Sequence, residues 1–150
     1  MKFYLKNPFV LMLFCLMAGM FMTVSFLETT LKFQVQGMTL PTALGLGKLM
    51  FGISTKLQGA FLILILTGMW VSRKNYTKLD VLVLIVLFLI LIVEQCWMLP
   101  VLDSRVHLLS SGKALPPTPL HDYFIYAETI KAVVMVLAIS LQFKTGLPYN

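Results

Sequence analysis

Residues 7–27 contain no charged side chain. A helix of that length is enough to cross the roughly 30 Å hydrocarbon core of a bilayer. The pattern recurs. Residues 57–72 are uncharged, and 81–93 are unbroken apolar sequence. Residues 119–143 form a fourth, largely apolar stretch whose charged residues are Asp122, Glu128 and Lys131. Composition agrees: 59% of the 150 residues are hydrophobic and 12% charged, against about 25% charged in soluble domains. Mean hydropathy is +0.89. These values exclude a disordered chain, a coiled coil and almost any soluble enzyme. They predict one integral membrane domain over residues 1–150.

Local signals set the helix ends. Lys2 and Lys6 resemble the start of a signal peptide, but no clear cleavage site follows, so 7–28 reads as a retained span. Thr39 and Pro41 mark a helix start, because proline at the first turn loses no hydrogen bond. A helix over 41–72 would be about 48 Å long and should project beyond the bilayer. Thr77 with Asp80 three residues on forms a capping box opening a third helix over 77–111, kinked near Pro100 and stopped at Gly112. Thr118-Pro119 opens a fourth over 119–143. The fold class is all-α: an antiparallel four-helix membrane bundle, with helices 2 and 3 extended on the outer side. The loop at 29–40 and the stiff Pro116-Pro117 segment should build a small headpiece there.

The chain carries 12 basic and 6 acidic residues, a formal net charge of +6. The basic residues flank apolar runs, which points to anionic lipid and away from nucleic acid. Arg73, Lys74 and Lys78 crowd one short turn, with Lys2, Lys6 and Lys144 on the same side. Lys32, Lys48, Lys56, Arg105 and Lys113 fall on the other. The density next to span ends predicts both termini in the cytoplasm.

The acids are unevenly placed. Glu28, Glu94, Asp103, Asp122 and Glu128 gather at the outer end, and Asp80 alone lies elsewhere. An ionisable group at mid-bilayer costs about 2.5–3.5 kcal/mol on insertion scales. Glu94, Glu128 and Lys131 should therefore turn inward and pair. Glu128 with Lys131 has the favourable i,i+3 spacing, and Glu94 or Glu28 should meet Lys56 or Lys48. Such a cluster reads either as a polar pocket for an ion, a proton or a small ligand, or as an ion network that fixes helix register. With His121 and Arg105 at its rim, it is the candidate site.

Other chemistry has weak support. His107 and His121 have no metal-ligand spacing with the acids, so no metal and no cofactor is predicted. The ten methionines read as apolar filler. Cys15 and Cys96 read as small buried hydrophobes. No nucleophile–base pair, phosphate loop or dinucleotide fingerprint occurs.

The stretch 25–34 (SFLETTLKFQ), then 37–41 (GMTLP), 45–51 (GLGKLMF) and 100–105 (PVLDSR), resembles a pattern in small uncharacterised bacterial four-helix inner-membrane proteins. Pro116-Pro117 followed by Leu120-His121 is similar too. A more distant likeness is to the transmembrane-protein-205-like family. The resemblance implies a bacterial inner membrane and a shared outer-side feature of Glu28, Lys32, Lys48, Asp103 and Arg105. It implies no reaction. Three readings stand: a non-enzymatic accessory subunit or small-ligand binder; a membrane oxidoreductase or oxygenase acting on a quinone-like substrate; and a small ion- or proton-coupled transporter, which would need to dimerise. Expected partners are the bilayer and other membrane subunits or a second copy, with no nucleic acid.

Overall fold

The computed structural model describes residues 2–111 and 119–146. Four helices carry the fold. Helix α1 joins an α-helix Pro8–Met22, a π-helical segment Thr23–Glu28, one further turn Thr29–Leu31 and a tight turn Lys32–Gln34. Helix α2 is continuous over Leu40–Val71. Helix α3 joins Lys78–Val93, a π segment Glu94–Met98 and Leu99–Ser110. Helix α4 covers Leu120–Ser140. Short strands β1 (Lys2–Leu5) and β2 (Phe143–Gly146) pair antiparallel. Four stretches are long and apolar enough to cross a membrane: Pro8–Gln34, Leu40–Val71, Lys78–Leu109 and Asp122–Ser140.

The helix starts follow from side-chain caps. The Asn7 carboxamide accepts from the Phe9 and Val10 N–H groups, with Pro8 in the first turn. Thr39 Oγ1 accepts from Thr42 N–H before α2. Asp80 Oδ2 accepts the Thr77 N–H at 2.7 Å. Each cap satisfies donors that a helix N-terminus leaves orphaned.

Helix α1 departs from its expected end. The chain after Glu28 does not open into a loop; it stays helical to Gln34. The widened π turn keeps i→i+5 bonding where an α-turn would otherwise fray, and Thr29 Oγ1 donates to Val24 O across it. In α3 a π segment, Glu94–Met98, stands just before Pro100, where a kink is expected. Proline offers no N–H to the preceding turn and crowds its carbonyl. The π segment just before it absorbs the misfit, with Leu99 N–H on Glu94 O. The expected stop at Gly112 and the Pro116-Pro117 segment lie outside the described residues.

Helix α1 packs on α2 and α4, and α3 packs on α4 and α2, which closes a four-helix ring. One apolar core runs through Phe14, Met17 and Phe21 of α1, Leu62 and Ile65 of α2, Leu84, Leu87 and Leu91 of α3, and Met135 of α4. The i,i+3 and i,i+7 spacing puts each set on one helix face. Gly68 lets α1 approach α2 closely: a Cβ there would lie 2.8 Å from Val10 Cγ2. A second, smaller core joins Val24, Phe51, Met98, Leu99 and Phe124 nearer the other end.

The outward faces are apolar as well. Leu16, Ile63, Val133 and Val136 are all more than half exposed. Cys15 and Cys96 also lie on this outer surface, which corrects their expected burial. A small thiol sits on an apolar exterior as readily as in a core, so composition could not tell the two apart.

At the end where the strands pair, a polar clasp ties three parts of the chain together. Lys6 Nζ reaches both Asp80 oxygens, at 2.6 and 2.8 Å. Lys6 N–H donates to Gln142 O, and Asn75 Nδ2 donates to Lys6 O. The Tyr76 hydroxyl donates to Gln142 Oε1 at 3.3 Å. Burial pushes the Tyr76 phenol pKa up to about 12, and the Asp80 carboxylate adds to the rise, so it remains a donor.

Candidate functional site

A layer of polar side chains crosses the bundle between the two apolar cores. On α3, Glu94 stands between Leu91 of one core and Met98 of the other. On α4, Glu128 and Lys131 stand between Phe124 and Met135. On α2, buried Ser54, Thr55 and Gln58 stand between Phe51 and Leu62. The helical repeat of the flanking apolar residues forces these polar groups inward with them.

Lys131 is the hub. Its ammonium lies 2.7 Å from both Glu94 oxygens and 2.8 Å from Glu128 Oε1. The Phe21 ring centroid is 4.8 Å away and faces the same cation. All three charged side chains are almost wholly buried. The i,i+3 pair expected from sequence is therefore present, and Glu94 comes to it from a separate helix. Two carboxylates share one ammonium. Glu128 Oε2 is buried and has no hydrogen-bond partner, and Gln58 Oε1 is in the same condition although its amide donates to Ser54 Oγ.

A pocket of about 210 Å³ opens next to this layer. Glu128 is among its lining residues. Phe26, Phe33, Phe51 and Phe124 supply much of its wall, and Lys32 and Lys48 its remaining charged groups. The Phe51 and Phe124 rings meet edge to face, with centroids 4.8 Å apart. Lys32 is buried, 3.4 Å from Glu28 Oε2, with the Phe33 and Phe51 rings within 6 Å. Gly47 makes room for that ammonium: a Cβ at this position would collide with Lys32 Nζ.

No family model, curated protein or solved structure matches this chain.

Several predicted pairings differ. Glu28 meets Lys32, and Lys48 meets Asp103 at 3.2 Å on the surface. Neither Lys48 nor Lys56 reaches Glu94. Lys56 is exposed and lines a shallow surface depression with Lys48, Gln95 and Asp103. The reason is angular. Lys56 follows Ser54 and Thr55, both turned inward, and the next residues of a helix turn out. Asp103 and Arg105 sit half-buried on the last segment of α3. His121 is in the first turn of α4, and its side chain lies outside the described residues. Among the described residues, no three His, Cys, Asp or Glu side chains converge as metal ligands.

Lys32 enters the sequence argument only through the resemblance, as part of the outer-side feature, and Gly47, Gln58 and Ser54 do not enter it as site residues. A signal existed for the last two. Ser54 and Gln58 are i,i+4 neighbours on the same face as Phe51 and Leu62, which is the spacing of a buried polar pair.

Proposed function

We propose that this chain is an integral protein of a bacterial inner membrane that binds a small ligand in the pocket beside Glu128, as a binder or accessory subunit and not as an enzyme. The observation that carries the reading is the Glu128 carboxylate. One oxygen is committed to Lys131 and the other is buried without a partner, and Glu128 is among the residues that line a largely apolar pocket. Burying an unsatisfied carboxylate oxygen is costly, and a ligand group would relieve that cost. Small-molecule sites elsewhere have this form: mostly apolar walls and a few convergent polar groups.

The bilayer assignment is supported by helices that are apolar on both faces, which only lipid would cover favourably. The orientation is supported by the cluster of Lys6, Arg73, Lys74 and Lys78 at the clasp end, which would face the cytoplasm. Helix α4 ends at the clasp with its 21 residues, while α2 has 32. At 1.5 Å per residue α2 would reach about 16 Å further, so it and the end of α3 would stand above the bilayer as an outer headpiece. A cysteine introduced at Arg73 should resist a membrane-impermeant thiol reagent in intact cells and react after lysis, on a background with Cys15 and Cys96 removed. Labelling in intact cells would reverse the orientation.

Gly47→Leu tests the pocket. The new side chain must displace the Lys32 ammonium and fill the space beside Phe51. Protein purified in mild detergent and analysed by native mass spectrometry should carry a small molecule in the wild type and lose most of it in Gly47→Leu. Identical content in both, with both folded, would remove the pocket from the proposal.

A further inference from the structure

We infer that the ligand of this pocket carries one positive charge on a hydrogen-bond donor, as a small apolar amine does, and that Glu128 is its counter-ion. The inference rests on the reading of the pocket as a ligand site.

The charge count points this way. The pocket and the layer beside it bring together three carboxylates, Glu28, Glu94 and Glu128, and three ammonium groups, Lys32, Lys48 and Lys131. Lys48 and Asp103 cancel each other at the surface. With all three carboxylates ionised, one negative charge is left over. A net charge held in a low-dielectric interior is costly, so the favoured guest is a cation. A neutral molecule would leave the excess in place, and an anion would double it.

The unsatisfied atoms point the same way. Glu28 Oε1, Glu128 Oε2 and Gln58 Oε1 are buried without partners, and all three are acceptors. What the site lacks is therefore a donor. Glu128 is the one of the three that lines the pocket.

The walls fit such a guest. Four phenylalanines surround the space, and aromatic faces attract ammonium groups, more strongly when water is excluded. The same chemistry is already at work on both resident lysines: Phe21 faces Lys131, and Phe33 and Phe51 face Lys32. The volume of about 210 Å³ is below that of drug-sized sites and suits one ring with a short head group. Lys32 would repel a cation on its own, but its charge is offset by Glu28 at 3.4 Å.

The test uses the full chain in lipid nanodiscs and three probes of one shape: benzylamine, benzyl alcohol and benzoate. Binding is read by ligand-observed NMR, with protein-free nanodiscs subtracted. Benzylamine should bind at least about tenfold tighter than benzyl alcohol, a difference of about 1.4 kcal/mol, and benzoate should bind weakest. Glu128→Gln should erase the amine's advantage while the alcohol's affinity holds. If that variant fails to fold, Phe124→Leu serves instead and should narrow the same ratio. Equal affinity for amine and alcohol would mean that a proton fills the place of the missing charge; this overturns the inference and leaves the pocket standing. Binding of none of the three by folded protein would overturn the pocket as well.

Discussion

Lys131→Met should be among the most damaging single substitutions in the protein, lowering stability by about 3–5 kcal/mol, the range for removing one partner of a buried ion pair. Methionine keeps the length of the stem and its packing. What it removes is the ammonium that bonds both Glu94 and Glu128. Two buried carboxylates would then face each other, and contact with the Phe21 ring would lose its electrostatic part. The stability is therefore a matter of charge balance more than of attraction. A triple variant, Glu94→Gln, Glu128→Gln and Lys131→Met, should regain most of the loss, because replacing a whole buried ion network by neutral groups is often close to harmless. Thermal unfolding in mild detergent separates the two cases. A Lys131→Met melting curve that overlays the wild type would mean the triad contributes nothing to the fold.

Much of this architecture can be read from the chain, and the parts that cannot share a physical cause. Helix starts at Pro8, Leu40 and Lys78 are legible because capping is local: Asn7, Thr39 and Asp80 act on groups two or three residues away. The continuation of α1 beyond Glu28 is not. A π turn is stabilised by what surrounds it, and residues 29–34 carry no stop or continuation signal that separates a helix from a loop. The Glu128–Lys131 pair follows from i,i+3 spacing, whereas the meeting of Lys131 with Glu94 spans 37 positions and depends on how α3 and α4 turn against each other. Lys56 shows the cost of arguing from depth alone. It sits at the right level and on the wrong face. Lys6 and Asp80 show the converse. Both were placed at the cytoplasmic end, yet at 74 positions apart nothing in the sequence joins them. The pocket itself was legible only as a concentration of acids; its aromatic wall and the clearance at Gly47 are products of packing.

The second large effect belongs to that clasp. Asp80→Ala should destabilise the protein by about 3–5 kcal/mol, because Lys6 and Asp80 side chains are 5% and 1% exposed and the lysine would be left charged and buried. Two further losses add to it. The Thr77 N–H and hydroxyl lose the acceptor they share at 2.7 Å, which weakens the start of α3. Lys6 would also hold its backbone less firmly, and that backbone bonds Gln142 and Asn75. The β1–β2 pairing next to it is too short to persist unaided, so amide exchange in Phe143 and Lys144 should accelerate with the drop in melting temperature. Lys6→Met combined with Asp80→Leu should recover part of the stability but not the cap. The clasp and the pocket lie at opposite ends of the bundle, separated by the apolar core. Folded Asp80→Ala should therefore bind benzylamine with unchanged affinity, while Gly47→Leu, which displaces the buried Lys32 ammonium from Glu28, should lower both binding and melting temperature. If Asp80→Ala lowered ligand affinity in proportion to its loss of stability, the two ends would be coupled through the bundle, and the polar layer could not be treated as a site independent of the fold that carries it.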